Sequence, residues 1–351
     1  MTEQTLLAGR SATLALVGGV LIAHFGAPAV ASSFNPAPIY DTALNYTTTI
    51  PATGSLTGFD ITDIYYPRSS EPNATFPVVL MLQGALVDKA DYANFASRVA
   101  RYGFVVAVPN HSRTFPPIPV PVLFPVQELV NDVLGFMKTE NLNALSPVQG
   151  KIDVTKMGLL GHSFGGSVGL GAIQGDCFPV LCTTRFTRPE ELKAGVFYGT
   201  RFGGQDPISP VPPILNAGIP TGLIGGTLDG VIPFNKVLES YRQIQDPPKV
   251  LVSVIGANHY GITDLNNPVR DPVVPELEQS GATETIARWS ALFLRSHVQG
   301  DAGAFDYVYN TGDERDENVT VLSTRVPEPS AIWGIFILGI GSTISIWRNR
   351  K

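Results

Sequence analysis

The chain has 351 residues, 44% hydrophobic and 15% charged, enough length and apolar content for one large globular body. Its net charge is −6 and no basic block precedes the extreme C-terminus, which argues against a nucleic-acid partner. The 35 glycines and 29 prolines point to many turns between short elements.

In chain order, residues 11–23 (SATLALVGGVLIA) form an apolar run after Arg10, and Ala29-Val30-Ala31 supplies a small-residue cleavage pattern. A signal peptide over 1–31 is expected, with an uncleaved membrane anchor as the alternative. Residues 32–55 are rich in Pro, Thr and Ser and read as a loose leading segment. FDITDIYYP alternates and ends in proline, the pattern of an edge strand. FPVVLMLQG (76–84) is continuously apolar, as a strand buried on both faces must be. A helix is expected over 89–103, where Tyr92, Phe95, Val99 and Tyr102 share one face. A buried strand (104–110), a proline-rich apolar segment (114–126) and a helix (126–140) follow. The proline-rich segment reads as a rigid apolar rim over the site.

KMGLLG then reads as a strand and SFGGSVGLGAIQG as the helix after it. Further strands are expected at 193–199, 219–226 and 249–256, with helices at 231–244 and 283–298. This alternation implies a mostly parallel, doubly wound sheet with helices on both faces. One catalytic domain is expected over 32–300, and residues 301–325 read as an acidic spacer. Residues 331–347 carry no charge and are long enough for a minimal membrane span, followed by the basic end RNRK.

The chemistry centres on Gly161-His162-Ser163-Phe164-Gly165, a G-x-S-x-G motif between a strand and a helix. Glycines 161 and 165 let strand and helix approach, and the turn lifts the Ser163 hydroxyl from the sheet's carboxyl edge. A serine nucleophile needs a base, and the base needs an orienting acid. His259 follows the last of these strands, which satisfies the chain order Ser, acid, His. His162 lies inside the turn, while His111 and His297 stand elsewhere in the pattern. Asp229 in GTLDGVIPF is the candidate acid, with Asp206 and Asp264 as rivals. Backbone N–H groups of Phe164 and Ala85 are the candidate oxyanion donors, with Gln83 as an accessory or a backbone-bonded glutamine. Cys177 and Cys182 lie five apart with no metal-ligand spacing around them, so a disulfide is expected after export.

The stretches FPVVLMLQGALVDKADYANFASRVARYGFVVAVPNH, KMGLLGHSFGGSVGLGAI, GTLDGVIPF and GANHYGITD resemble the α/β-hydrolase superfamily. More narrowly, they are similar to its branch of chlorophyllases, platelet-activating-factor acetylhydrolases and cutinase-like polyester hydrolases. The resemblance implies hydrolysis of a small or polymeric ester with no metal or organic cofactor. It also implies Ser163 as nucleophile, His259 as base and Asp229 as orienting acid. In place of the His-Gly or Pro-Gly of many relatives the chain has Gln83-Gly84, and Ala85 stands where a bulky aromatic is common. VPEPS, the apolar run and RNRK together resemble a PEP-CTERM sorting signal over 326–351. That resemblance implies an exosortase-type processing partner and an envelope or extracellular location in a Gram-negative bacterium. An acyltransferase on envelope polysaccharide or lipid, and a non-catalytic envelope binding protein on the same fold, are the alternatives.

Overall fold

The computed structural model describes residues 34–115, 118–177, 181–203 and 209–325. The signal peptide, the sorting signal with its apolar run and the rival acid Asp206 lie outside these residues. Among the described residues no helix is long and apolar enough to cross a membrane.

The elements run β1 (Ala43–Pro51), β2 (Phe59–Pro67), β3 (Phe76–Leu82), α1 (Ala93–Ala100) and β4 (Val105–Asn110). They continue with β5 (Ser112–Phe115), β6 (Ile118–Leu123), α2 (Leu129–Leu142), β7 (Ile152–His162) and α3 (Phe164–Gln174). Then come β8 (Leu192–Tyr198), β9 (Thr221–Gly226), α4 (Phe234–Gln243) and β10 (Lys249–Val254). The described chain closes with α5 (Gln279–Leu294), α6 (Ala302–Asp306) and β11 (Val319–Thr324).

One nine-stranded sheet has the order β1-β2-β4-β3-β7-β8-β9-β10-β11. From β4 through β10 neighbouring strands are parallel, so their carboxyl ends share one edge. The sheet is covered on both sides, as its apolar strands require. In β3, Val79 and Met81 join the core that holds Phe95, Val99, Trp289 and Phe293 of α1 and α5. Val78, Leu80 and Leu82 face the opposite core, with Val130, Val133, Val168 and Val237 of α2, α3 and α4. Period-two alternation thus divides one continuous apolar run between two cores. Each fully buried aliphatic side chain contributes about 1.5–3 kcal/mol.

Three expectations are corrected. Residues 43–51 of the supposedly loose segment form β1, paired antiparallel with β2 from Ala43↔Pro67 to Pro51↔Phe59. Their threonines suit a pleated, half-buried surface. β2 is consequently not an edge strand. The supposed spacer 301–325 is part of the folded body. β11 pairs antiparallel with β10 from Lys249↔Thr324 to Val254↔Val319. Before it, Asp316 accepts the buried Trp289 Nε1–H at 2.7 Å and pairs with Arg288 at 2.6 Å. One acidic residue of the stretch, Asp316, thus faces inward, while Asp306, Asp313, Glu314 and Glu317 remain exposed on the folded body. The proline-rich stretch forms the β5–β6 hairpin.

The expected disulfide joins Cys177 and Cys182, with Cα atoms 5.4 Å apart. The expected helix at 283–298 starts earlier, at Gln279, where the Glu278 side chain caps the Ser280 N–H. It ends at Leu294 and passes into a π-helical turn, Arg295–Gln299. His297 in that turn bonds the Tyr309 hydroxyl at 2.8 Å and packs against Phe293. Desolvation lowers its pKa from 6.5 to about 4.

The unfolded chain therefore binds a proton at His297 that the folded chain refuses between those values. The contribution of this residue to stability is therefore intact above pH 6.5 and declines as pH falls toward 4. The full loss from this residue is on the order of 3 kcal/mol. Urea unfolding at pH 7 and pH 4.5 should show a smaller acid loss for His297→Gln than for the parent. Equal losses would show that the ring does not carry this dependence.

Candidate active site

Four loops leave the shared carboxyl edge of the sheet and hold the candidate residues. Ala85 follows β3, Ser163 follows β7, Asp229 follows β9 and His259 follows β10. Open α/β sheets bind ligands at this edge.

Ser163 stands between β7 and α3 with φ 55° and ψ −119°, a backbone that non-glycine residues rarely adopt. Its N–H donates to the Tyr198 carbonyl at 2.9 Å, and its carbonyl accepts from Thr200 Oγ1 at 2.8 Å. These bonds hold the strained turn in place. The flanking glycines are required by space. A Cβ on Gly161 would lie 2.8 Å from the Gly165 carbonyl oxygen, and one on Gly165 would collide with the Leu82 carbonyl. Helix α3 therefore starts directly against the end of β3, bringing Phe164 beside the loop that carries Ala85.

His259 and Asp229 are both buried, and His259 Nδ1 lies 2.8 Å from Asp229 Oδ2. The other carboxylate oxygen, Oδ1, accepts from the Val231 N–H at 2.9 Å and the Ile232 N–H at 2.7 Å. Asp229 is thus locked by its own turn, with one oxygen reserved for the ring. A carboxylate facing Nδ1 sets Nδ1–H and leaves Nε2 as the proton acceptor. The His259 ring packs on the ring of His162, centroids 4.7 Å apart, so the pair lies beside the residue that precedes Ser163.

The rejected histidines have other partners. His162 bonds Tyr92 and the His259 backbone. His111 forms a second buried pair, Nδ1 to Asp60 Oδ2 at 2.7 Å, where β2 meets the end of β4. Of the rival acids, Asp264 instead accepts the Asn94 N–H at the start of α1, at 3.0 Å. Gln83 is bonded to the backbone of His111, the structural role rather than the accessory one.

The hairpin reaches both candidate oxyanion segments. Leu86, with φ 60°, donates its N–H to the Leu123 carbonyl at 2.8 Å. The Phe124 ring meets that of Phe164 edge-on, centroids 5.2 Å apart. Arg270 adds a bond from its guanidinium to the Ala85 carbonyl at 2.8 Å.

Asp271 was not foreseen from the sequence. It is fully buried, and its Oδ2 accepts the His259 N–H at 2.9 Å and the Gly230 N–H at 3.3 Å. One carboxylate thereby ties the loop of the candidate base to the loop of the candidate acid. An aspartate in NNPVRDPV reads as surface, and only the folded loop reveals its burial. Asp271→Ala should leave the buried His259 N–H unpaired, at about 1–3 kcal/mol, and free the Gly230 N–H to solvent. Turnover of a soluble ester should fall about 10- to 100-fold together with a lower melting temperature. Unchanged turnover would show that other contacts hold the two loops.

Two comparisons with known proteins bear on the fold and the class of reaction. Residues 28–177, which include Ser163, match the family model described as PET hydrolase-like. The chain is also 25% identical over 249 residues to Cutinase est1 of Thermobifida alba, spanning 70% of this chain and 67% of that protein. With the parallel sheet and its carboxyl-edge loops, these matches identify the chain as an ester hydrolase of the α/β-hydrolase fold.

Proposed function

We propose that the protein is an exported carboxylic ester hydrolase that works through an acyl-enzyme on Ser163. The observation that carries this reading is the buried Asp229–His259 pair packed beside the strained Ser163 turn.

In the proposed cycle, Ser163 Oγ attacks the ester carbonyl carbon while His259 Nε2 takes the hydroxyl proton. Asp229 holds Nδ1–H and stabilises the imidazolium that forms. The carbonyl oxygen becomes an oxyanion, bound by the N–H groups of Ala85 and Phe164. Collapse breaks the ester C–O bond, and His259 returns the proton to the departing alcohol. Water then attacks the acyl-enzyme with the same base, releasing the acid and restoring Ser163.

The family description and the relative's name point to bulky, apolar or polymeric esters as substrates. Leu86 and Val120 support this by leaving half-exposed apolar surface on the oxyanion loop and the adjoining hairpin. Export is supported by the cleavage pattern at Ala29-Val30-Ala31 and by the disulfide. The C-terminal arrangement VPEPS, apolar run and RNRK supports processing by an exosortase-type enzyme in a Gram-negative envelope.

Ser163→Ala and His259→Ala should each lower hydrolysis of p-nitrophenyl esters by several orders of magnitude, and Ser163→Ala should abolish fluorophosphonate labelling. His111→Ala, where folded, should still be labelled. Near-normal turnover in either of the first two variants would overturn the assignment. Intact-mass measurement of native protein should find Ser32 at the N-terminus and the C-terminal segment shortened. A full-length cytosolic species would refute the export reading.

A further inference from the structure

Beneath the candidate site, one tyrosine joins two loops that the catalytic reading treats separately. Tyr92, in the 3₁₀ turn before α1, is fully buried. Its hydroxyl accepts the Gly84 N–H at 2.8 Å, one residue before Ala85. The same oxygen lies 2.9 Å from His162 Nδ1, one residue before Ser163. On the far side of that ring, His162 Nε2 lies 3.0 Å from the His259 carbonyl oxygen.

The hydrogen positions follow from donor counting. A carbonyl oxygen only accepts, so His162 Nε2 carries the hydrogen. In the neutral ring Nδ1 is then an acceptor, and Tyr92 supplies the single hydroxyl proton it needs. The tyrosine oxygen keeps a lone pair for the Gly84 N–H. Every donor in the series has one acceptor, and the direction runs from Gly84 through Tyr92 and His162 to His259. Burial favours this state twice, holding the His162 pKa well below its ordinary value and the Tyr92 pKa well above its own. There is no slack in the arrangement: a Cβ on Gly84 would lie 2.8 Å from His162 Nδ1.

We propose that Tyr92 is a positioning residue that, through His162, sets the oxyanion loop against the loop of the catalytic base. The proposal rests on the reading of Ser163, His259 and Ala85 given above. Tyr92 touches no reacting atom. Without its hydroxyl the Gly84 peptide and the His162 ring lose their common reference, and the Ala85 N–H loses its aim at the developing oxyanion. That N–H acts most strongly in the transition state, so the effect belongs in kcat rather than KM.

The test is a double-mutant cycle in the full chain with Tyr92→Phe, His162→Leu and the double variant, each assayed on a soluble p-nitrophenyl ester. The active fraction is counted by fluorophosphonate titration. Tyr92→Phe should lower kcat per titrated site about 10- to 100-fold with KM changed less than about threefold. The double variant should lose little more than the worse single variant, because both act through one series of bonds. A structural role alone would lower the melting temperature and the titrated fraction while leaving kcat per site unchanged, and that result overturns the proposal. Additive losses overturn it as well.

If Tyr92→Phe does not fold, ¹⁵N histidine spectra of the unaltered protein decide. His162 should remain the neutral Nε2–H tautomer from pH 5 to 8, whereas an Nδ1–H tautomer or a titrating ring overturns the proposal. Failure of the underlying reading is distinguishable, because Ser163→Ala and His259→Ala would then retain turnover. If those two are inactive and Tyr92→Phe has normal kcat per site, the positioning role alone is refuted.

Discussion

Helix α3 begins so close to the end of β3 that no side chain fits between Gly165 and the carbonyls of Leu82 and Gln83. That crowding forces the Ser163 backbone into its strained conformation and places the first N–H groups of α3 next to the loop after β3. The segment that carries Ser163 and Phe164 and the loop that carries Ala85 are thereby made neighbours. The strain is sustained by bonds to Tyr198 and Thr200, so the neighbouring strand β8 shares in holding the turn.

Around this contact the molecule uses carboxylates and one buried phenol as clamps. Asp229 satisfies two N–H groups of its own turn with one oxygen and offers the other to His259. Asp271 spans the same two loops through their backbones. The chain contains a second buried aspartate–histidine pair, Asp60–His111. It lacks the adjoining strained serine, which shows that the pairing itself is not what distinguishes a candidate site. Location beside the turn after β7 is.

The parallel strands and most of the helices were legible because an apolar run, or a face repeating at helical spacing, has few other uses. The placement of Ser163, His259 and Asp229 on carboxyl-edge loops was legible because each sits at a fixed place in the alternation of strand and helix. The antiparallel strands beyond that alternation were not. β1 is rich in threonine, and β11 lies in an acidic stretch, so composition resembled that of a linker in both cases. Their pairing is set by the edges of a sheet formed by distant residues, which local pattern does not encode. Asp271 and Tyr92 were hidden for a related reason. Asp271 sits in polar, proline-containing sequence, and Tyr92 was counted only as part of an apolar helical face. Each owes its role to bonds across the fold.

The folding of residues 302–324 into α6 and β11 also changes what the tail can do. A free spacer over 301–330 would give a leash of 30 residues, up to about 100 Å when extended. With β11 ending at Thr324, only Arg325 to Ser330 separate the sheet from the apolar run at 331. Six residues extend to about 20 Å. Under the proposed attachment through the apolar run, the folded body would stay within about its own radius of that point. Under the proposed processing, removing the segment after Ser330 would release a body held this closely, whereas a long free leash would have let it range before any cut.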